Sequence, residues 1–276
     1  MRWSRLKMLR EREVYFDGVM VMKSHRVKFH GFVAVMASLA FGGFCMAETP
    51  ASAPTTAPDG GLLFHASFDK GMEADTAVGN PDPKVKGNVQ YATGVRGKAV
   101  IGGDAFVTNL EYQNKGNFQI EKGTVSFWIK PIDWLGDKGK AQIFNLFMQG
   151  NGNARGYFGI EMARFSQPAP NLLFYSVNFS NRDKAFINDA NSVNWTNDQW
   201  HQVVMTWDDR QVKLYVDGEV SGAAQLTAPF TPADLHSTTF AFLGGGEEHT
   251  ALDEVRIWDH PLEPAEILSR YKEEKP

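Results

Sequence analysis

A single cysteine, Cys45, is all the thiol chemistry this 276-residue chain possesses. It lies inside an uncharged run, residues 32–47 (FVAVMASLAFGGFCMA). A chain that loses this run has no disulfide, no sulfur nucleophile and no Cys-based zinc site. Basic charge is also scarce beyond the front of the chain. From Glu48 onward 20 Lys and Arg face 29 Asp and Glu, a net charge of −9. No basic stripe is left to neutralise phosphates, which argues against a nucleic-acid partner. An E-x-D-x-x-E run, which aims alternate carboxylates into one cleft for glycoside hydrolysis, does not occur. Glu161 has no acid two residues away, and Asp208-Asp209 fall in a turn. Glu247-Glu248 and Asp253-Glu254 are adjacent pairs that diverge in a strand. His65, His201, His236, His249 and His260 show no i, i+4 pair, and Gly244-Gly245-Gly246 leads to a strand rather than a helix. Neither a helical metal site nor a phosphate loop is indicated.

The front of the chain carries its own signal. Residues 1–31 hold eight Lys or Arg against three acids, the uncharged run follows, and TPASAPTTAPDGG comes after Glu48. A basic start, a short apolar stretch and small residues before a cleavage point describe a secretory signal peptide over 1–47, cleaved after Ala47. From Met1 that signal is too long, so translation is expected to start at Met20 or Met22. The apolar run falls short of the ~20 residues of a spanning helix, so no stable membrane span is expected after cleavage. Export to the periplasm, the medium or the cell surface follows. Residues 48–61 read as a flexible Pro/Ala/Thr linker, and residues 62–272 as one domain.

That domain is written in strands. WHQVVMTWDDRQVKLYVDG, Trp200 to Gly218, is a complete β-hairpin: Val203, Met205 and Trp207 alternate with polar neighbours, and Val212, Leu214 and Val216 resume the pattern. Val204 breaks the alternation. Asp208-Asp209-Arg210 forms the turn, and Asp217-Gly218 begins the next one. Further strand signals fall at 62–68, 98–101, 124–130, 142–148, 157–165, 172–179, 239–243 and 252–258, separated by Gly, Asn, Asp and Pro clusters. The one helix signal is Pro264–Lys272. Many short strands with turns between them predict an all-β antiparallel two-sheet jelly-roll sandwich with a short C-terminal helix.

With the strands placed, LLFHASFD, GVRGKAVIGGDAFV, FQIEKGTVSFWIKP, the central hairpin and LDEVRIWDHPLEPAEI fall in the order seen in the laminin-G-like, concanavalin A-like jelly rolls. The chain resembles that superfamily from Leu62 to Tyr271. The resemblance implies a two-sheet sandwich with a concave face, a function in binding glycans or in adhesion, and frequently one structural Ca2+. For that ion the resemblance points to Asp69, ending the first strand, and Asp253, opening the last, with carbonyls of 71–80 completing the shell. The alternative for both acids is turn capping.

For a glycan, aromatic faces and nearby polar groups are needed. Val125, Phe127 and Ile129 toward the core put Trp128 on the opposite face. Phe158, Ile160 and Met162 inward leave Tyr157 and Glu161 outward, with Asn178 expected on the same side. Trp128, Tyr157, Glu161 and Asn178 are therefore the expected floor of a concave site, provided their strands adjoin. Trp134 and Trp195 are the loop candidates, whereas Trp200, Trp207 and Trp258 are assigned to packing. The expected function is an exported non-catalytic module binding an extracellular or cell-surface glycan. Alternatives are adhesion to a cell-surface protein, or a glycosidase or polysaccharide lyase with a dispersed site.

Overall fold

The computed structural model describes residues 60–276 except 108, 135–142, 150–155, 164–170, 179–184, 190–194, 236 and 246–247. The expected signal peptide and all of the linker but Gly60 and Gly61 lie outside the described residues. Strands β1 (Leu62–Ala66), β2 (Thr76–Ala77), β3 (Lys84–Lys86), β4 (Gln90–Thr93), β5 (Lys98–Gly102) and β6 (Asn109–Gln113) come first. Then follow β7 (Gly123–Pro131), β8 (Ile143–Gln149), β9 (Gly156–Ala163), β10 (Asn171–Asn178) and β11 (Ala185–Asp189). The chain closes with β12 (His201–Trp207), β13 (Gln211–Val216), β14 (Glu219–Gln225), β15 (Thr239–Gly245), β16 (Thr250–Trp258) and helix α1 (Pro264–Glu274).

Two antiparallel sheets result. One has nine strands, ordered β14-β13-β12-β7-β16-β1-β2, with β5 on the far edge of β16 and β4 beyond it. The other has seven, ordered β11-β10-β9-β8-β15-β6-β3. First and last strands are neighbours, Phe64 lying opposite Ile257. Alternation decides the interior: Val125, Phe127 and Ile129 meet Phe147, Phe158, Phe240 and Phe242 in the core between the sheets. Trp207 is buried there and donates its indole N–H to Ile120 O at 2.8 Å.

The predicted hairpin forms with Met205 opposite Leu214 and Val203 opposite Val216. Asp208 Oδ1 accepts the N–H groups of Arg210 and Gln211 at 2.8 and 2.9 Å, which closes the turn. Asp217 (φ 51°) and Gly218 (φ 81°) both take the left-handed conformation of a two-residue hairpin turn into β14. Val204 breaks the alternation because this sheet is covered on both faces. On its outer side Leu62, Val204, Tyr215, Trp258, Leu262 and Ile267 form a second apolar cluster beneath α1. Strands β3 and β4, mostly exposed, escape a sequence reading because a three- or four-residue polar edge strand has no apolar face to reveal it. Among the described residues no helix is long and apolar enough to cross a membrane.

Candidate ligand-binding site

Trp128 does not lie on an open groove, which corrects the expectation placed on it. It stands on the outer face of the nine-stranded sheet, as its parity requires, but α1 covers it and leaves it 1% exposed. Its ring stacks on Tyr271 (5.7 Å between centroids, 20° between planes) and its Nε1–H donates to Glu274 at 3.1 Å. Nor does it share a sheet with the other floor candidates: β7 belongs to the nine-stranded sheet, β9 and β10 to the seven-stranded one. The backbone register sets Tyr157 opposite Val177, Glu161 opposite Leu173 and Asn178 opposite Gly156. Asn178 is thus one residue out of phase with Tyr157, instead of on its row. The side chains of Tyr157, Glu161 and Asn178 lie outside the described residues.

Around Trp128 the sheet carries a buried ionic network. Glu274 accepts from Arg256 Nη1 at 3.0 Å, Arg256 Nη2 donates to Glu254, and His65 Nε2 pairs with Glu254 at 2.9 Å. Burial by itself raises the Glu254 carboxyl. The His65 hydrogen bond and the Arg256 charge outweigh it and hold the group below the ordinary carboxylate range. Glu254 reaches this face through a β-bulge: its φ is 51°, and the register with β7 breaks between Asp253 and Arg256. The bulge overturns the expectation that Asp253 and Glu254 diverge. Both are nonetheless buried, at 0% and 4% exposure, so no polysaccharide reaches them as an acid–base pair.

Asp69 and Asp253 do converge, on the β4–β5 turn, and what they meet there is backbone N–H. Asp253 Oδ2 accepts from Val95 and Arg96 at 2.7 and 3.2 Å and its Oδ1 from Glu254 at 2.8 Å, while Asp69 Oδ1 accepts from Lys98 at 2.7 Å. The glycines of GVRGK make that approach possible. A Cβ at Gly94 would lie 2.4 Å from Asp253 Oδ2, and one at Gly97 only 1.9 Å from Asp69 Oδ1. Two carbonyls of 71–80 are also engaged internally: Met72 O takes the Tyr112 hydroxyl at 2.6 Å and Asn80 O takes Asn117 Nδ2 at 2.8 Å. Ca2+ needs six to eight converging oxygens, and N–H dipoles aimed at Asp253 present it the wrong sign. The residues present therefore fit a carboxylate brace for the turn and do not fit a calcium cage. Among the described residues no three His, Asp, Glu or Cys side chains gather as a metal site. Treatment with EDTA is expected to leave the melting temperature unchanged in a thermal melt.

Burial is the largest influence on Asp253 and pushes its carboxyl up to about 7; the N–H bonds oppose this and the Glu254 charge adds to it. The sign of the linkage follows. With a folded pKa above the unfolded one, the native state binds the extra proton between the two. This group's contribution to stability is complete below the unfolded value near 4 and is lost as pH rises through about 7. Melting temperatures between pH 5 and 8 are expected to fall more steeply in the wild type than in Asp253→Asn.

The loop candidate Trp134 fares differently. It follows β7 at one end of the sandwich and is held from three sides. Its N–H donates to Asn197 Oδ1 at 3.0 Å, its carbonyl accepts Asn197 Nδ2 at 3.2 Å, and its Nε1–H donates to Thr250 Oγ1 at 2.8 Å. Its half-buried ring stacks on Trp195 at 6.2 Å and 19°, and Trp195 lies flat on His201 at 4.1 Å and 4°. Asp217 accepts from the backbone N–H of Gln202 at 2.9 Å and pairs with His201 Nδ1 at 2.8 Å, fixing the third ring. Beside the stack, Asp133 accepts the N–H of His249 at 2.5 Å and pairs with its Nδ1 at 2.6 Å. His249 is thus paired with Asp133 in the fold. Lys130 sits over the half-buried Trp200, its Nζ 5.1 Å from the ring centre. His201 was missed from the sequence. The hairpin register supplied a signal, since placing Val203 against Val216 brings residue 201 beside Asp217.

The chain belongs to the concanavalin A-like lectin/glucanases superfamily, whose laminin-G-type family profile matches residues 102–268. No curated protein matches the sequence. Among solved structures the chain is similar to the binding domain of Paraclostridial Mosquitocidal Protein 1, with a TM-score of 0.59, 16% identity, and coverage of 77% of this chain and 52% of that one. It is similar to domain 4 of AbnA, an extracellular GH43 arabinanase from Geobacillus stearothermophilus solved with arabinotriose (TM-score 0.58, 20% identity, 76% and 97% coverage). The receptor binding domain of botulinum neurotoxin mosaic serotype C/D gives a TM-score of 0.59 at 16% identity, covering 77% of this chain and 51% of the other. The chain spans about half the length of the toxin domains it matches.

Proposed function

We propose that the protein is an exported, non-catalytic module that binds carbohydrate at the rim built by Trp134, Trp195 and His201. The observation that carries this reading is the clamped aromatic stack. Sugars present C–H faces that pack on flat aromatic rings, and a ring already held by its Thr250 hydrogen bond, on a backbone clamped by Asn197, loses little side-chain entropy on binding. Domain 4 of the arabinanase, solved with arabinotriose on a similar fold, supports the choice of ligand class. The burial of Asp253 and Glu254 supports binding without hydrolysis. Affinity electrophoresis through gels containing a panel of neutral and acidic polysaccharides tests the reading. Retardation by at least one polymer, without release of reducing ends, is expected. Unhindered migration through every gel, or turnover of any polymer, would contradict it.

A second reading, adhesion to a cell-surface protein, draws on the receptor binding domains among the structural neighbours. It is separated by the same rim: protein-mediated cell binding that survives a Trp134 substitution and glycosidase treatment of the cells favours it.

A further inference from the structure

We infer that Asp217 is a positioning residue of the aromatic rim: it sets the proton and the plane of His201, and through that ring it seats Trp195. This rests on the glycan reading of the same site. Asp217 takes the first central position of the turn between β13 and β14 at φ 51°, and Gly218 follows at φ 81°. Asn-Gly, Asp-Gly and Gly-Gly all serve such a turn, so the turn itself needs no carboxylate at 217. The two oxygens are spent on β12 instead. Oδ1 accepts the backbone N–H of Gln202 at 2.9 Å, and Oδ2 meets Nδ1 of His201 at 2.8 Å. One planar group thereby fixes a point on the strand and the ring carried by the residue before it.

A carboxylate only accepts hydrogen bonds, so the proton of this pair sits on Nδ1 of His201. The χ2 torsion of a histidine is broad, and a bond at one edge of the ring is what confines it to a single plane. That plane matters because Trp195 lies parallel to the imidazole within 4°, with the ring centres 4.1 Å apart. Faces so close stay in full contact only while the two planes coincide. Trp195 in turn stacks on Trp134. Asp217 and His201 thus do for Trp195 what Asn197 and Thr250 do for Trp134. With its side chain 13% exposed, His201 supports the indole and offers a ligand little surface of its own.

Three variants separate this role from a structural one. Asp217→Gly keeps the left-handed turn and removes both acceptors. Asp217→Asn keeps an oxygen for Gln202 and turns an N–H donor toward Nδ1. His201→Phe supplies a flat ring that needs no hydrogen bond. Titration with the oligosaccharide matching the best-retaining polymer reads affinity, and long-range 15N–1H spectra of the imidazoles, assigned with His201→Phe, locate the proton. In the wild type Nδ1 of His201 is expected to carry it. Asp217→Gly is expected to weaken binding about two- to tenfold, the cost of ordering one freed side chain. Asp217→Asn is expected to move the proton to Nε2 while restoring most of the affinity. On the His201→Phe background Asp217→Gly is expected to cost nothing further. Asp217→Asn and the wild-type proton position carry the test should Asp217→Gly fail to fold. A wild-type proton on Nε2 alone, undiminished binding by Asp217→Gly, or an equal loss on both backgrounds overturns the inference and leaves the glycan reading standing. Binding that ignores Trp134→Ala, or no binding to any polymer, overturns the rim reading and this inference with it.

Discussion

Arg256→Ala is expected to cost about 3–5 kcal/mol of stability, because it strands two buried carboxylates that now share one guanidinium. Glu254 and Glu274 have side chains only 5% and 8% exposed, and Arg256 bridges them from β16 to the end of α1. For a domain of this size that loss lowers the melting temperature by roughly 10 °C. The effect reaches beyond the pair. Glu274 also holds the Trp128 indole, and Tyr271 stacks on that ring, so α1 loses its ionic anchor and part of its packing surface together. Two comparisons isolate the ionic part. Arg256→Ala with Glu274→Gln is expected to be less damaging than the sum of the single changes, since one of the two stranded charges is gone. Trp128→Ala is expected to cost a similar 3–5 kcal/mol through the cavity it leaves, with glycan binding unchanged in the folded fraction. Chemical denaturation of the wild type, Arg256→Ala, Glu274→Gln, their double variant and Trp128→Ala reads all of this. An Arg256→Ala protein as stable as the wild type would mean that α1 is not held by these charges.

Trp134→Ala is expected to weaken glycan binding about thirtyfold. Covering one indole face with a sugar ring removes roughly 50–80 Å² of apolar area from water, worth about 1–2 kcal/mol, and the aromatic contact adds about 0.5–1.5 kcal/mol. A loss near 2 kcal/mol is about thirtyfold in Kd. The same substitution breaks the bond to Thr250 and thins the end of the core, so a fall in stability accompanies it. Trp134→Phe separates the two effects, keeping an aromatic face without the indole N–H. It is expected to retain most of the affinity while losing the Thr250 bond. Isothermal titration with both variants, at a temperature where each is folded, checks the split.

Much of this fold is legible from period-two patterning. The central hairpin, β7, β16 and α1 stand where alternation and turn chemistry put them, because each has one apolar face that must be buried. The same patterning placed Trp128 on the face opposite Val125, Phe127 and Ile129. It could not say what covers that face. The answer is a helix about 140 residues away in sequence, and Val204, out of phase in an otherwise alternating strand, was the one local sign that the outer face is buried too. Adjacent acids such as Asp253 and Glu254 looked divergent because a bulge depends on a positive φ that a non-glycine residue does not advertise. The convergence of Asp69 and Asp253 on one turn is readable from the adjacency of first and last strands. Their partners are not, since backbone N–H groups leave no mark in composition. Trp134 and Trp195 were visible as loop aromatics, yet only the register of β12 with β7 and β13 brings His201 into their stack.

The location of the bound sugar is the most direct test. The indole N–H resonances of 15N-tryptophan-labelled protein, assigned by single Trp→Phe changes, can be followed while the oligosaccharide matching the best-retaining polymer is titrated in. Saturable shifts at Trp134 and Trp195, with Trp128, Trp207 and Trp258 unmoved, are predicted. Shifts centred on Trp128, or on none of the rim indoles while binding is demonstrably saturated, would contradict a glycan site at this end of the sandwich.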